Sequence, residues 1–471
     1  MRDAAVTDVW RRFRDREYPT RIDDAHFFDL RGVGEVHVTF KGGITAFCGG
    51  NGVGKTTILR ALRDALWSDV AIVTDGSGST PRAELQMVVG NRRRLQAVAL
   101  ASGDGRSSDP DVGFFDGGDL SVRLRRHFES QPSISELLES VEPHEATRDE
   151  LADASYIIGR DYEALRTYEV DIGEADEVPY FVAQWAGREY GTESMGQGEL
   201  TALALLWVLR RTRASSILLL EEPDTFLTPR SQLAMFNVLA RYSTQKAIWM
   251  ALTTHSERIL RRIPIQNVRL LFRSGGDRTQ VCAPDAATQY LLQLGVAPQK
   301  RAVVLVEDEM ARELALGWIA YFSPQLLHEL DLIAVANGES EIRRALAFPK
   351  ISSGFKIVGL FDGDQREFTE QTVWPYSFLP GNVSPEALMR SVIASRRVDF
   401  ATRIGRSEHS VALALGAAEG LDAHDWIYTL TRHVSVPISS VVSAFFAVWL
   451  SDPATLDAAE KEFRTLEGLL A

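Results

Sequence analysis

The stretch Gly43-Ile44-Thr45-Ala46-Phe47-Cys48-Gly49-Gly50-Asn51-Gly52-Val53-Gly54-Lys55-Thr56-Thr57-Ile58-Leu59-Arg60-Ala61-Leu62 decides the fold of this chain. An apolar, strand-forming run enters a glycine-rich turn, and a helical apolar pattern leaves it. Between them stands Gly, four residues, then Gly-Lys-Thr, in the strand–loop–helix order of a phosphate-binding loop. Glycines let backbone N–H groups curl around phosphates, and the helix start adds its positive dipole end. Gly49, Asn51, Gly52, Gly54, Lys55, Thr56 and Thr57 are therefore the candidate nucleotide contacts. Lys55 is expected to reach the β- and γ-phosphates of a nucleoside triphosphate, and the Thr56 hydroxyl to ligate Mg²⁺.

Three later segments narrow the class. Ser194-Met195-Gly196-Gln197-Gly198-Glu199 runs into the apolar helical stretch from Leu200 to Trp207. Ser and small glycines at a helix start form a second anion site, although a capped helix has the same pattern. A chain with its own phosphate loop has a use for a second such site when another subunit's nucleotide docks there. Next, Ile217-Leu218-Leu219-Leu220-Glu221-Glu222-Pro223-Asp224 is an aliphatic strand buried on both faces, ending in two carboxylates. Ligands gather at that end of a parallel sheet, where Glu221 can orient a Mg²⁺ shell and Glu222 can polarise water. The third segment, Ala247 to Ser256, is another buried strand, and it ends in Thr254-His255-Ser256. His255 follows the acidic strand in the order expected of a γ-phosphate sensor.

Composition sets broader bounds. The 471 residues suit two or three domains, and 45% hydrophobic content supplies their cores. Two cysteines, Cys48 and Cys282, argue against a disulfide scaffold and fit a reducing cytoplasm. No apolar signal core opens the chain, and its longest apolar runs fall short of a membrane span. The net charge of −13 argues against a uniformly basic nucleic-acid coat. Local basic clusters such as Arg92-Arg93-Arg94 remain available for DNA phosphates.

The chain reads as an α/β protein in four parts. Residues 1–20 form a short amphipathic helix, and 21–285 form the nucleotide domain. Within that domain 101–118 is a loop rich in Gly, Asp and Ser, and about 119–190 is a helical insertion. Residues 300–395 form a second, parallel α/β domain, and 396–471 are helical. In the second domain a strand ends in Glu307-Asp308-Glu309, another in Asn337-Gly338-Glu339, and a third in Asp362-Gly363-Asp364. Acids closing successive strands collect at one sheet edge and repel one another unless cations neutralise them. Mg²⁺ or Mn²⁺ suits such oxygen ligands.

The four nucleotide-domain segments, in this order, resemble an ATP-binding-cassette (ABC) ATPase of the kind found in DNA-repair and anti-phage proteins. That resemblance implies ATP as substrate with Mg²⁺. It makes Glu222 the catalytic base and sets His255 against the γ-phosphate. It puts Ser194, Gly196 and Gly198 against a nucleotide held by another subunit of a homodimer or higher oligomer. The chain departs from the family at Glu221, usually Asp, and at Thr228, often His. The family's metal-loop glutamine has three candidates here, Gln86, Gln96 and Gln131. The second domain resembles the TOPRIM domain, and an ABC ATPase followed by TOPRIM is similar to the OLD nucleases (overcoming lysogenisation defect). That likeness implies that Glu307, Asp362 and Asp364 hold metals for DNA cleavage in phage defence. It departs at Asp308, where Gly is usual, and at Ala311, where many relatives carry an acid; Glu309 and Glu313 are possible substitutes. The alternative is an ATPase sensor whose inactive TOPRIM domain restrains a separate effector protein.

Overall fold

The computed structural model describes all residues except 1–2, 69–80, 101–108, 132, 173–176, 275–277, 351–355 and 471. The chain divides into two units, Met1–Val296 and Ala297–Ala471.

The first unit is built on a six-stranded sheet. Its order is Arg278–Cys282, Val268–Ser274, Ile44–Gly49, Trp249–Thr253, Ile217–Glu221, Val112–Asp116, with all neighbours parallel except the first pair. The three central strands are buried at every position, as unbroken aliphatic runs require. Because they run parallel, Gly49, Asp116, Glu221 and Thr253 all emerge at one edge. Two four-stranded antiparallel sheets complete the unit. One orders Gly34–Thr39, Arg21–Leu30, Arg82–Val89 and Arg92–Ala99; the other orders Arg188–Gly191, Val178–Trp185, Ala164–Val170 and His144–Glu145.

Two expectations change here. Part of the expected loop 101–118 is a strand: Val112–Asp116 pairs in parallel with Ile217–Glu221. Its apolar core is only Val-Gly-Phe-Phe, embedded in turn-forming residues, so composition hid it; residues 101–108 lie outside the described residues. The expected helical insertion is mixed. Helices Gly117–Glu129, Ile134–Glu139 and Arg148–Ile158 are followed by an antiparallel sheet. Alternation in Leu165-Arg166-Thr167-Tyr168 buries every second residue there, which is the strand period.

The N-terminal helix, Asp3–Asp15, belongs to the first unit's core. Val6, Trp10 and Phe13 share one face and are buried. The Trp10 ring lies 5.1 Å from that of Phe236, and its Nε1 donates to Asn237 Oδ1 at 2.9 Å.

The second unit carries an all-parallel sheet ordered Leu330–Ala334, Ala302–Val306, Lys356–Phe361, Tyr376–Phe378. The helices of 396–471 share one core with this sheet instead of forming a separate segment: Phe445, Phe446 and Phe463 pack with Trp318 and Val304. Gly317 marks a close helix crossing, since a Cβ there would meet Val442 Cγ1 at 2.4 Å. Among the described residues no single helix is long and apolar enough to cross a membrane. The bent pair Ile438–Trp449 and Pro453–Leu470 has the composition, and it buries Val441, Phe445, Phe463 and Leu466 within the unit.

Trp10→Ala should destabilise the first unit by roughly 3–5 kcal/mol, the usual cost of emptying a buried aromatic site. Denaturant unfolding monitored by circular dichroism measures it. A loss below about 0.5 kcal/mol would show the helix to be a loose appendage.

Candidate functional site

The phosphate loop has the backbone its glycines foretell. Gly49, Gly52 and Gly54 have φ of 143°, 71° and 99°, a region that side chains disfavour. A Cβ on Gly49 would stand 2.2 Å from Leu271 O, and one on Gly54 2.5 Å from Val33 Cγ2. The helix Lys55–Trp67 starts without a side-chain cap, which leaves its first N–H groups to an anion. Lys55 is buried, and its Nζ donates to Gly49 O at 3.1 Å and Gly50 O at 2.9 Å. Burial lowers its pKa, and the Glu222 carboxylate opposes that shift.

A cavity of about 330 Å³ opens over the loop. Asn51, Gly52, Gly54, Lys55, Thr56 and Thr57 line it with Glu222 and His255. So do Arg31, Gly32 and Arg273, which the sequence analysis did not select. Arg273 Nη2 donates to Gly52 O at 2.8 Å and so braces the loop. Arg31 stands in a turn after the mixed polar and apolar strand Arg21–Leu30, and nothing in that stretch marks it as a phosphate contact.

Glu222 sits just past the acidic strand with φ 42°, a left-handed conformation costly for a side-chain-bearing residue. Its N–H donates to Thr253 Oγ1 at 3.0 Å, which ties it to the neighbouring strand end. His255 Nε2 stands 3.5 Å from Glu222 Oε1. Burial and then Lys55 lower the His255 pKa, which favours the neutral ring, and Glu222 opposes them. Asp224, two residues past Glu222, was also passed over. It is buried, with no partner for Oδ1, and burial pushes its pKa up to about 6.

Glu221 is held apart from the cavity lining by a cation. Arg60 Nε donates to Glu221 Oε2 at 3.0 Å and Arg60 Nη2 to Asp116 Oδ2 at 3.1 Å. None of the three candidate glutamines lines the cavity. Gln86 lies in the antiparallel strand Arg82–Val89, Gln96 donates to Ala65 O and Ser68 O, and Gln131 bonds His127. The strand end beside Glu221 carries Asp116 instead.

Ser194 ends a short turn, Thr192–Ser194, and Gly196 precedes the helix Gln197–Arg211 with no side-chain cap. A Cβ on Gly198 would meet Phe226 O at 2.5 Å, so this helix rests on the turn that follows Glu222. Ser194, Gly196 and Gly198 do not line their own chain's cavity. Glu199 anchors the helix start from below. It is buried, accepts from the Tyr162 and Tyr190 hydroxyls, and pairs with Arg160 Nη1 at 3.2 Å. Ser121 Oγ accepts from Gln197 Nε2 at 2.8 Å and from Thr201 Oγ1 at 3.0 Å.

In the second unit the strand ends bring Glu307 and Asp362 together, and Glu307 Oε1 accepts from the Asp362 N–H at 2.9 Å. Asp364 lies in the turn Gly363–Gln365. Asp362 Oδ1 is buried without a hydrogen-bond partner. Burial, then Glu307, Asp308, Glu386 and Asp364, pushes the Asp362 carboxyl up to about 8. Burial also raises Glu307. Asp308 departs from glycine for a local reason: its Oδ1 caps the helix Glu309–Phe322 by accepting from Ala311 N at 2.8 Å. Glu309 and Glu313 both pair with Arg312, at 3.3 and 3.5 Å, and so are committed elsewhere. An all-carboxylate donor set with an orphaned buried oxygen fits Mg²⁺ or Mn²⁺. Even so, among the described residues no three His, Cys, Asp or Glu side chains are drawn together at ligand spacing.

A family described as "AAA domain" matches residues 26–166, which include the phosphate loop. No curated protein matches the chain. Matching solved structures include the SMC head domain from Thermotoga maritima, at 13% identity and TM-score 0.35, covering 56% of this chain and 100% of that one. An Smc head bound to the C-winged helix domain of ScpA matches at 14% identity and TM-score 0.37, covering 57% and 99%. An Smc head with an extended coiled coil, bound to the C-terminal domain of ScpA derived from Pyrococcus furiosus, matches at 12% and TM-score 0.37, covering 59% and 100%. The AAA match and the phosphate loop it contains make the first unit a mixed α/β P-loop ATPase domain.

Proposed function

We propose that this chain is an ABC-type ATPase that hydrolyses ATP between two copies of itself and drives a metal-dependent nuclease of OLD type in its second unit. One observation carries the ATPase reading: Lys55, Thr56, Glu222 and His255 line one cavity, whereas Ser194, Gly196 and Gly198 do not. A site with a base and a phosphate cradle but no second anion contact calls for that contact from another copy. Glu222 would take the proton from the attacking water. His255, 3.5 Å away, would orient it and the γ-phosphate. Mg²⁺ held by Thr56 and the Glu221 side would supply charge neutralisation on the phosphates.

In the second unit Glu307, Asp362 and Asp364 would hold one or two divalent ions, whose chemistry is activation of water and stabilisation of a leaving oxygen. Arg92, Arg93 and Arg94, exposed on the edge strand Arg92–Ala99, are proposed contacts for DNA phosphates, although Arg94 Nη1 also lies 3.5 Å from Asp109 Oδ2. By its resemblance to OLD proteins, this work would belong to phage defence, in the cytoplasm. A second reading is an ATPase sensor with an inactive second unit that restrains a separate effector. The absence of three converging ligands among the described residues favours it.

Glu222→Gln should retain ATP binding and lose hydrolysis by about 10²–10⁴-fold, the usual worth of a positioned base. Lys55→Ala should lose binding itself. Isothermal titration and phosphate release separate the two, and wild-type turnover in Glu222→Gln would end the assignment. Specific ATPase activity should also rise with protein concentration as dimers form; a fully active monomer in light scattering would contradict the shared site. Asp362→Ala should abolish plasmid cleavage in Mg²⁺ or Mn²⁺ and leave ATP turnover intact. No cleavage by the wild type under any metal and nucleotide condition selects the sensor reading.

Asp362 also sets a pH dependence in metal-free protein. Its folded pKa, about 8, lies above its unfolded value, so the native state binds the extra proton. Stability contributed by that proton is complete near pH 4 and is lost as pH rises toward 8. Asp362→Asn should therefore stabilise the second unit at pH 8, by on the order of 1 kcal/mol or more and with a higher melting temperature, and leave its stability unchanged at pH 4. Equal melting of both proteins across that range would refute the buried, uncompensated carboxylate.

A further inference from the structure

We propose that Arg60 is a positioning residue for the ATP-side metal: a resident cation that ties Glu221 to Asp116 and keeps this acid pair from holding a divalent ion before the triphosphate arrives. The inference deepens the ATPase reading and rests on it.

The argument starts from register. Val112–Asp116 and Ile217–Glu221 are adjacent parallel strands, and their last residues, Asp116 and Glu221, are direct partners. Neighbouring strands lie about 4.8 Å apart, so two carboxylates end side by side at the sheet edge. Glu221 is 6% exposed, where like charges are poorly screened. Arg60 comes four residues after Thr56 in the helix Lys55–Trp67, which puts both side chains on one face, a turn apart. That face also presents Thr56 to the ATP cavity. The guanidinium then spans the pair, with Nε on Glu221 at 3.0 Å and Nη2 on Asp116 at 3.1 Å.

The fork shape matters. Two donors on one planar group reach two carboxylates at fixed separation, which a lysine ammonium does not reproduce. Asp116 is engaged on its other side too, since Oδ1 accepts from Asp119 N at 2.9 Å and caps the helix Gly117–Glu129. Two carboxylates alone would be a doubly negative bidentate hook for Mg²⁺ or Mn²⁺. With Arg60 between them the group carries one net negative charge, and three of its four oxygens, Glu221 Oε2 and both of Asp116, already have donors. The triphosphate must then contribute the missing charge and oxygens, so metal and nucleotide enter together.

The test uses the nucleotide-free full chain and Mn²⁺ alone, titrated by electron paramagnetic resonance. Arg60→Met should bind one more Mn²⁺ per chain than wild type, at least tenfold tighter than any wild-type site in this unit. Arg60→Met/Asp116→Asn should lose that extra ion. Arg60→Lys should give an intermediate affinity, and it keeps the test alive if Arg60→Met melts too low to handle. Subtraction of the wild-type count removes ions held by the second unit. No extra ion in either Arg60 variant overturns the proposal, and so does an extra ion that survives Asp116→Asn. Because nucleotide is absent, this result is independent of the ATPase reading. Failure of wild type to bind ATP would sink that reading and leave the Mn²⁺ outcome standing as evidence on the clamp itself.

Discussion

The strand Ile217–Glu221, sealed on both faces, is the constraint on which the rest of the ATP site depends. Its four aliphatic residues are fully buried, and no water reaches its backbone groups except through its neighbours. Those groups must be satisfied by the flanking strands Trp249–Thr253 and Val112–Asp116, with which it pairs residue for residue. Once that pairing is set, Glu221 is beside Asp116, and Glu222 is within reach of the Thr253 hydroxyl. The strained backbone of Glu222 is anchored on one side by the Thr253 hydroxyl, which accepts from its N–H.

The parts of the site made from contiguous residues were legible in sequence. A loop that must cradle phosphates needs glycine at Gly49 and Gly54, and the tight approaches to Leu271 and Val33 explain why nothing larger serves. The acidic strand declared itself through its aliphatic run. What stayed hidden depends on register between distant segments. Asp116 looked like one acid among many in a polar stretch until its strand was paired with Glu221. Arg60 was only one residue of the helical run after the loop until the strand ends came within its reach. Arg273 reaches Gly52 from a strand more than two hundred positions away. The helical insertion was misread because the helices Gly117–Glu129, Ile134–Glu139 and Arg148–Ile158 fill its first part, while Ala164–Val170 and Val178–Trp185 after them pair as antiparallel strands.

The second unit shows the same division. Alternating strands and helices announced a parallel sheet, and the sheet brings Glu307 and Asp362 to one edge. The sequence could not say that Asp362 would be buried with an unsatisfied oxygen among other acids. Nor could it say that Asp308 would cap a helix, which removes the puzzle of a missing glycine. The helices after residue 396 close the core around Trp318, so the sheet that presents the acids depends on residues 396–471 for its own cover.

Gly198 has a mechanical corollary. It lets the helix Gln197–Arg211 settle directly on the Phe226 carbonyl, with no side chain between them to compress. Phe226 lies four residues past Glu222 and, like it, has a left-handed φ, here 65°. A backbone-to-backbone seat of this kind has no slack, and the turn beneath it has few alternative shapes. The helix start and the Glu222 turn therefore meet backbone to backbone, and any side chain at position 198 would have to part them.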